Sequence, residues 1–156
     1  MRTLILAIAK GYKRISTFFM ELQINSDRYI WEIQRDFNQA FGYLKIEFFS
    51  KPHLVQQPSP AKKILSNQGR IYDLVKTNLN SSIEIDENMS VADLEKLFSD
   101  QFGLFVQVFR KSGNIWLETT MTDGWSLKQQ NEHGKEITIG APKTTPIIGP
   151  NEEDVL

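Results

Sequence analysis

An α+β protein is predicted by two observations: a strand–helix–strand pattern that occurs twice, and apolar spacing that switches from period two to helical within each occurrence. Residues 37–51 read FNQAFGYLKIEFFSK, and residues 98–113 read FSDQFGLFVQVFRKSG. Superposing Phe41-Gly42 on Phe102-Gly103 brings Leu22 and Ile24 onto Ile83 and Ile85, Ile33 onto Leu94, and Phe37 onto Phe98. With Tyr43 taken as one extra residue, Leu44, Ile46 and Phe48 fall on Leu104, Val106 and Val108. The expectation is one compact domain over 20–140, made of repeat unit 1 (20–81) and repeat unit 2 (82–140). Two such βαβ-type units make a two-layer ferredoxin-like sandwich. Two tandem small β-grasp-like units produce a similar string and stand as the alternative.

The first helix follows from Ile30, Ile33, Phe37 and Phe41, which recur at helical spacing and make one apolar stripe. Ser26 or Asp27 is its expected cap. The strand LKIEFF comes next, its alternate residues Leu44, Ile46 and Phe48 placed toward the helices. HLVQQPSPAKK reads as a loop between the units, and RIYDLVKTN as a short helix. SIEID (82–86) opens the second unit as a strand. Val91, Leu94, Phe98 and Phe102 form the second apolar stripe, with Ser90 as cap, Asp93 at the capping-box position and Met89 stapled onto Leu94. Gly42 and Gly103 are both placed as left-handed residues that end their helices. NIWLET (114–119) forms a hairpin with 104–111 through Ser112-Gly113-Asn114, and EITIG (136–140) reads as a last short strand.

The ends are of a different character. Residues 1–19 hold Arg2, Lys10, Lys13 and Arg14 with no acid, around a short apolar run. They are read as an N-terminal leader or a mis-called start with Met20 as the true one, as a short capping helix, or as a basic segment that touches a membrane surface. The run is too short for a transmembrane segment. Residues 141–156 contain three prolines and no apolar period, and are expected to be a mobile tail.

Composition excludes several kinds of chemistry. With no cysteine, there is no disulfide, thiolate metal site or cysteine nucleophile. A cytoplasmic location is the simplest reading. The two histidines, His53 and His133, fall in loop-like contexts and read as solvated surface residues. No HExxH, GxxxxGK[ST], GxGxxG or GxSxG pattern occurs, so neither cofactor, metal nor catalytic residues are assigned. FGLFVQVF (102–109) departs from the aromatic and basic positions of an RNA-recognition motif. Residues 81–140 carry five basic and ten acidic side chains, a net −5 that opposes phosphate binding.

One feature points outward. If Leu104, Val106 and Val108 face the helices, then Phe105, Gln107 and Phe109 face away, as do Lys45, Glu47 and Phe49 on the equivalent strand. The hairpin strand adds either Trp116 or the Ile115/Leu117 pair to that side. Large aromatics on the outer face of a sheet need a cover, supplied by another part of the chain, another protein or a small ligand. Phe49, Phe105, Phe109 and Trp116 are therefore the candidate interaction face. The expected function is a small cytosolic protein-interaction or adaptor module without catalysis, meeting a second copy or a protein partner. A small enzyme or ligand-binding domain is the alternative, and a single-stranded nucleic-acid binder the third reading.

Overall fold

The computed structural model describes residues 17–50 and 64–140, so His53, the inter-unit loop at 51–63, the segment 1–16 and the tail 141–156 lie outside the described residues. The elements run β1 (Phe19–Asn25), α1 (Ile30–Ala40), β2 (Leu44–Phe49), α2 (Ile71–Val75), β3 (Asn80–Asp86), α3 (Val91–Phe102), β4 (Phe105–Ser112), β5 (Ile115–Glu118) and α4 (Leu127–Ile139). The protein is α+β. Its strands form two antiparallel sheets, β1–β3 and β2–β4–β5. This differs from the single four-stranded sheet of a ferredoxin-like arrangement, and β2 supplies a physical reason. The carbonyls of Leu44, Ile46 and Phe48 accept from Asn38 Nδ2 (2.7 Å), Gln34 Nε2 (2.9 Å) and the Leu65 N–H (2.8 Å). That edge is used up by α1 side chains and by the chain at Leu65, leaving no place for a further strand.

The apolar stripes read from the sequence are the core. Ile30, Ile33 and Phe37 of α1 and Val91, Leu94 and Phe98 of α3 are fully buried, as are Leu22, Ile24 and Ile85 from the smaller sheet. Leu44, Ile46 and Phe48 close the core from β2, and Val106 and Val108 from β4. Phe98 meets Phe48 edge-on at 6.1 Å between ring centroids. The folded part extends upstream of Met20: Phe19 pairs with Asp86, and Phe18 packs edge-on against Phe41 at 5.9 Å.

The free N–H groups at the helix starts are satisfied in the same way in both halves. Ile30 and Trp31 donate to the carbonyls of Gly69 and Asn67 (2.9 and 3.1 Å), while Ile71 and Tyr72 donate to Arg28 and Ser26 (3.0 and 2.9 Å). In the second half Val91 and Ala92 donate to Trp125 and Asp123 (3.1 and 2.9 Å), and Leu127 and Lys128 to Met89 and Glu87 (2.9 and 2.8 Å). In the registers Leu22 lies opposite Ile83 and Glu47 opposite Gln107.

Four local expectations are corrected. Neither Ser26 nor Asp27 caps α1; the Glu32 carboxylate accepts from the Tyr29 N–H at 2.8 Å, and Ser26 Oγ donates to the Thr77 carbonyl at 2.8 Å instead. Gly103 is left-handed (φ 64°), but Gly42 is not. The extra residue Tyr43 lets the chain turn with a Leu44 N–H to Phe41 carbonyl bond of 2.9 Å, without a positive φ. EITIG is not a strand but the end of α4, and His133 lies on that helix rather than in a loop. Helix α4 starts at Ser126, whose Oγ accepts from the Gln129 N–H at 3.1 Å while the Gln129 side chain accepts from the Ser126 N–H at 2.9 Å. Once started, a helix loses only tenths of a kcal/mol per Ile or Thr, so it continues to Gly140 (φ 85°).

Candidate functional site

Backbone alternation in β2, β4 and β5 decides which side chains share the sheet's outer face. Register places Phe49 opposite Phe105, Lys45 opposite Phe109, Lys111 opposite Trp116 and Phe109 opposite Glu118. Phe49, Phe105, Phe109 and Trp116 therefore stand on one face, and Trp116, rather than the Ile115/Leu117 pair, is the hairpin's contribution. They are not equally available. Phe49 and Phe109 are buried (3% and 8% exposed), whereas Phe105 and Trp116 are half-buried.

Lys45 was not singled out by its sequence context, yet it organises this face. Its ammonium stands 5.2 Å from the Phe109 ring centroid and 5.3 Å from that of Trp116. It also pairs with Glu47 Oε1 at 2.7 Å, and Gln34 Nε2 holds the other Glu47 oxygen at 2.8 Å. A cation over two aromatic faces and against a carboxylate is fixed in place more firmly than a solvated lysine. The only clue in sequence was Lys45's parity with Phe49, because the partners Phe109 and Trp116 are more than sixty residues away. At the centre of the face, Gln107 Nε2 donates to Thr120 Oγ1 at 2.7 Å, and its Oε1 is buried without a partner.

The opposite face of β4 carries a second polar group. Arg110 is set between Leu44 of β2 and Leu117 of β5. Helix α4 lies over it, and the 3-10 turn Thr120–Thr122 leads the chain from β5 toward that helix. The C-terminal segment read as a strand is thus part of a helix, and that helix lies on the side away from Phe109. His133 stands on α4 with its ring edge-on to Trp125 at 5.6 Å and Nδ1 3.8 Å from Glu136 Oε2.

Among the described residues, no group of three or more His, Asp or Glu side chains is placed to hold a metal ion, and no helix is long and apolar enough to cross a membrane. No family model, curated protein or solved structure matches this chain.

Proposed function

We propose that this protein is a small cytosolic protein-interaction module without catalysis, built from a duplicated βαβ unit, which meets a second copy of itself through the outer face of β2–β4–β5. The observation that carries the reading is the pair Phe105 and Trp116, half-exposed beside a lysine already held between Phe109 and Trp116. Large aromatic side chains left half-exposed on a sheet face are the residue type enriched at interface cores, while charged residues belong to the rim. A second copy suits the face because Lys45 and Lys111 share it with Glu47 and Glu118. Two-fold pairing sets such a mixed surface against itself with cations over carboxylates. The duplicated reading is supported by the helix-start hydrogen bonds, which recur residue for residue at an offset of sixty-one along α1 and α3. It is supported as well by the registers, which set the aligned residues Leu22 and Ile83 opposite one another.

The test is solution mass by light scattering, on the full chain and on Phe105→Glu with Trp116→Glu, each checked by circular dichroism. Phe109 is left intact because it is buried and its loss would report on folding instead. The expected result is a parent of twice the monomer mass and a folded, monomeric double variant. A parent that stays monomeric at high micromolar concentration, or a folded double variant of unchanged dimer mass, overturns the proposal.

A further inference from the structure

Arg110 is a half-buried cation with an unusually incomplete set of partners. Its Nη1 donates to Gln130 Oε1 at 2.6 Å. Gln130 is fully buried and its Nε2 donates to the Thr122 carbonyl and Oγ1 at 2.7 and 2.8 Å, so its oxygen is held toward Arg110. The guanidinium carbon stands 6.0 Å from the Trp125 ring centroid. Gly134 makes room for the arginine's stem, since a Cβ there would come within 3.0 Å of Arg110 Cγ. Nε is buried with no hydrogen-bond partner, and no carboxylate among the described residues forms an ion pair with this side chain.

Withdrawing a guanidinium from water is costly unless an anion meets it. Desolvation holds this group below the usual arginine range, which is the sign of a cation without a compensating charge. The side chain is also held in place by Gln130 and Trp125, so a ligand would not have to order it. The rim is apolar: Leu117, directly across the ladder, and Trp125 are each 40% exposed, and β5 pairs with no further strand among the described residues.

We propose that Arg110 and Trp125, with the open edge of β5, form a receptor for a peptide carboxylate. The planar carboxylate takes the Nη N–H groups that Gln130 leaves free, and a neighbouring apolar side chain rests on Leu117 and Trp125. A single cation in a half-chain of net −5 favours a carboxylate monoanion over a phosphate dianion. An extended peptide beside β5 completes the sheet edge while its acid reaches Arg110. Arg110 and Leu117 stand on the opposite face from Phe105 and Trp116.

The test uses the full 15N-labelled chain titrated with acetyl-Ala-Val-Leu, a peptide whose single charge is its C-terminal carboxylate, and, separately, with inorganic phosphate. The expected result is saturable movement of the Trp125 indole N–H and Arg110 Nε–H signals with the peptide alone. Arg110→Gln should abolish it, and Arg110→Lys, which keeps the stem and charge, should weaken it by about tenfold through loss of the fork. Should Arg110→Gln fail to fold, Arg110→Lys carries the comparison. No movement at millimolar peptide, equal movement with phosphate, or unchanged affinity in a folded Arg110 variant overturns the proposal.

Discussion

Replacing Gly134 by alanine separates local helix preference from tertiary fit. In the interior of an unhindered helix this change stabilises by about 1 kcal/mol, through propensity and reduced freedom of the unfolded chain. In α4 the new methyl would lie 3.0 Å from Arg110 Cγ, 3.0 Å from Tyr43 Cβ and 3.2 Å from the Tyr43 carbonyl oxygen. Carbon pairs prefer roughly 3.5–4.0 Å, so the helix must retreat by about half an ångström or its neighbours must yield. The Arg110 stem can swing, but Tyr43 cannot. Its carbonyl accepts from the Lys111 N–H at 2.9 Å, and its own N–H donates to Asn131 Oδ1 of α4 at 2.9 Å. Overpacking of this kind costs about 1–3 kcal/mol, more than the helix gains. We expect a net loss of about 1 kcal/mol in urea denaturation, and a fall in Tm of about 4 °C. A variant more stable than the parent by about 1 kcal/mol would refute the close approach of α4 to Tyr43.

Two further outcomes follow from single side chains. Ser90→Ala removes an oxygen that accepts from the Asp93 N–H at 3.1 Å and donates to the Asp93 carboxylate at 2.7 Å. It should cost about 1 kcal/mol of stability by denaturant titration, and an unchanged midpoint would mean α3 does not depend on this cap. For Asp36, burial pushes the carboxyl pKa up, but hydrogen bonds and charge from Arg28 and Arg35 outweigh it and hold the group below the usual carboxylate range. A carboxyl lowered on folding stabilises above its unfolded value, near pH 4, and that contribution is lost as pH falls through the folded value. Asp36→Asn should therefore be less stable than the parent at pH 7, by under about 1 kcal/mol for so solvated a pair, with the gap closing in acid. A gap that stays constant from pH 7 to pH 2 would remove the charge argument.

The parts of the fold legible in sequence are those where local pattern and final burial agree. The stripes Ile30/Ile33/Phe37 and Val91/Leu94/Phe98 are helical by spacing alone, and all six are fully buried. Ser90 was readable as a cap because its neighbour Asp93 lies three residues on. The EITIG segment misled because isolated Ile and Thr favour strands by only tenths of a kcal/mol, less than the continuation of a helix begun ten residues earlier at Ser126. Gly42 misled because Gly42 and Tyr43 together separate Phe41 from Leu44, where Gly103 alone separates Phe102 from Leu104, and the longer link turns without a positive φ. The parity shared by Phe105 and Phe109 follows from period two, which is a property of the strand itself, whereas Trp116 stood open against Ile115/Leu117 until the β4–β5 register placed it.

By itself the sequence determined the class α+β, the two apolar helices and the alternation of side chains along β2 and β4, since these depend on periods of 3.6 and 2; the face taken by Trp116 came from the β4–β5 register. Tertiary structure alone decided that the strands form two sheets, that Phe49 and Phe109 are buried, that Lys45 lies between Phe109 and Trp116, and that Arg110 has Gln130 and Trp125 but no carboxylate among the described residues. Each of these depends on groups tens of residues apart being brought within a few ångströms. Distance along the chain carries no information about such pairings, because only packing of the whole core selects them.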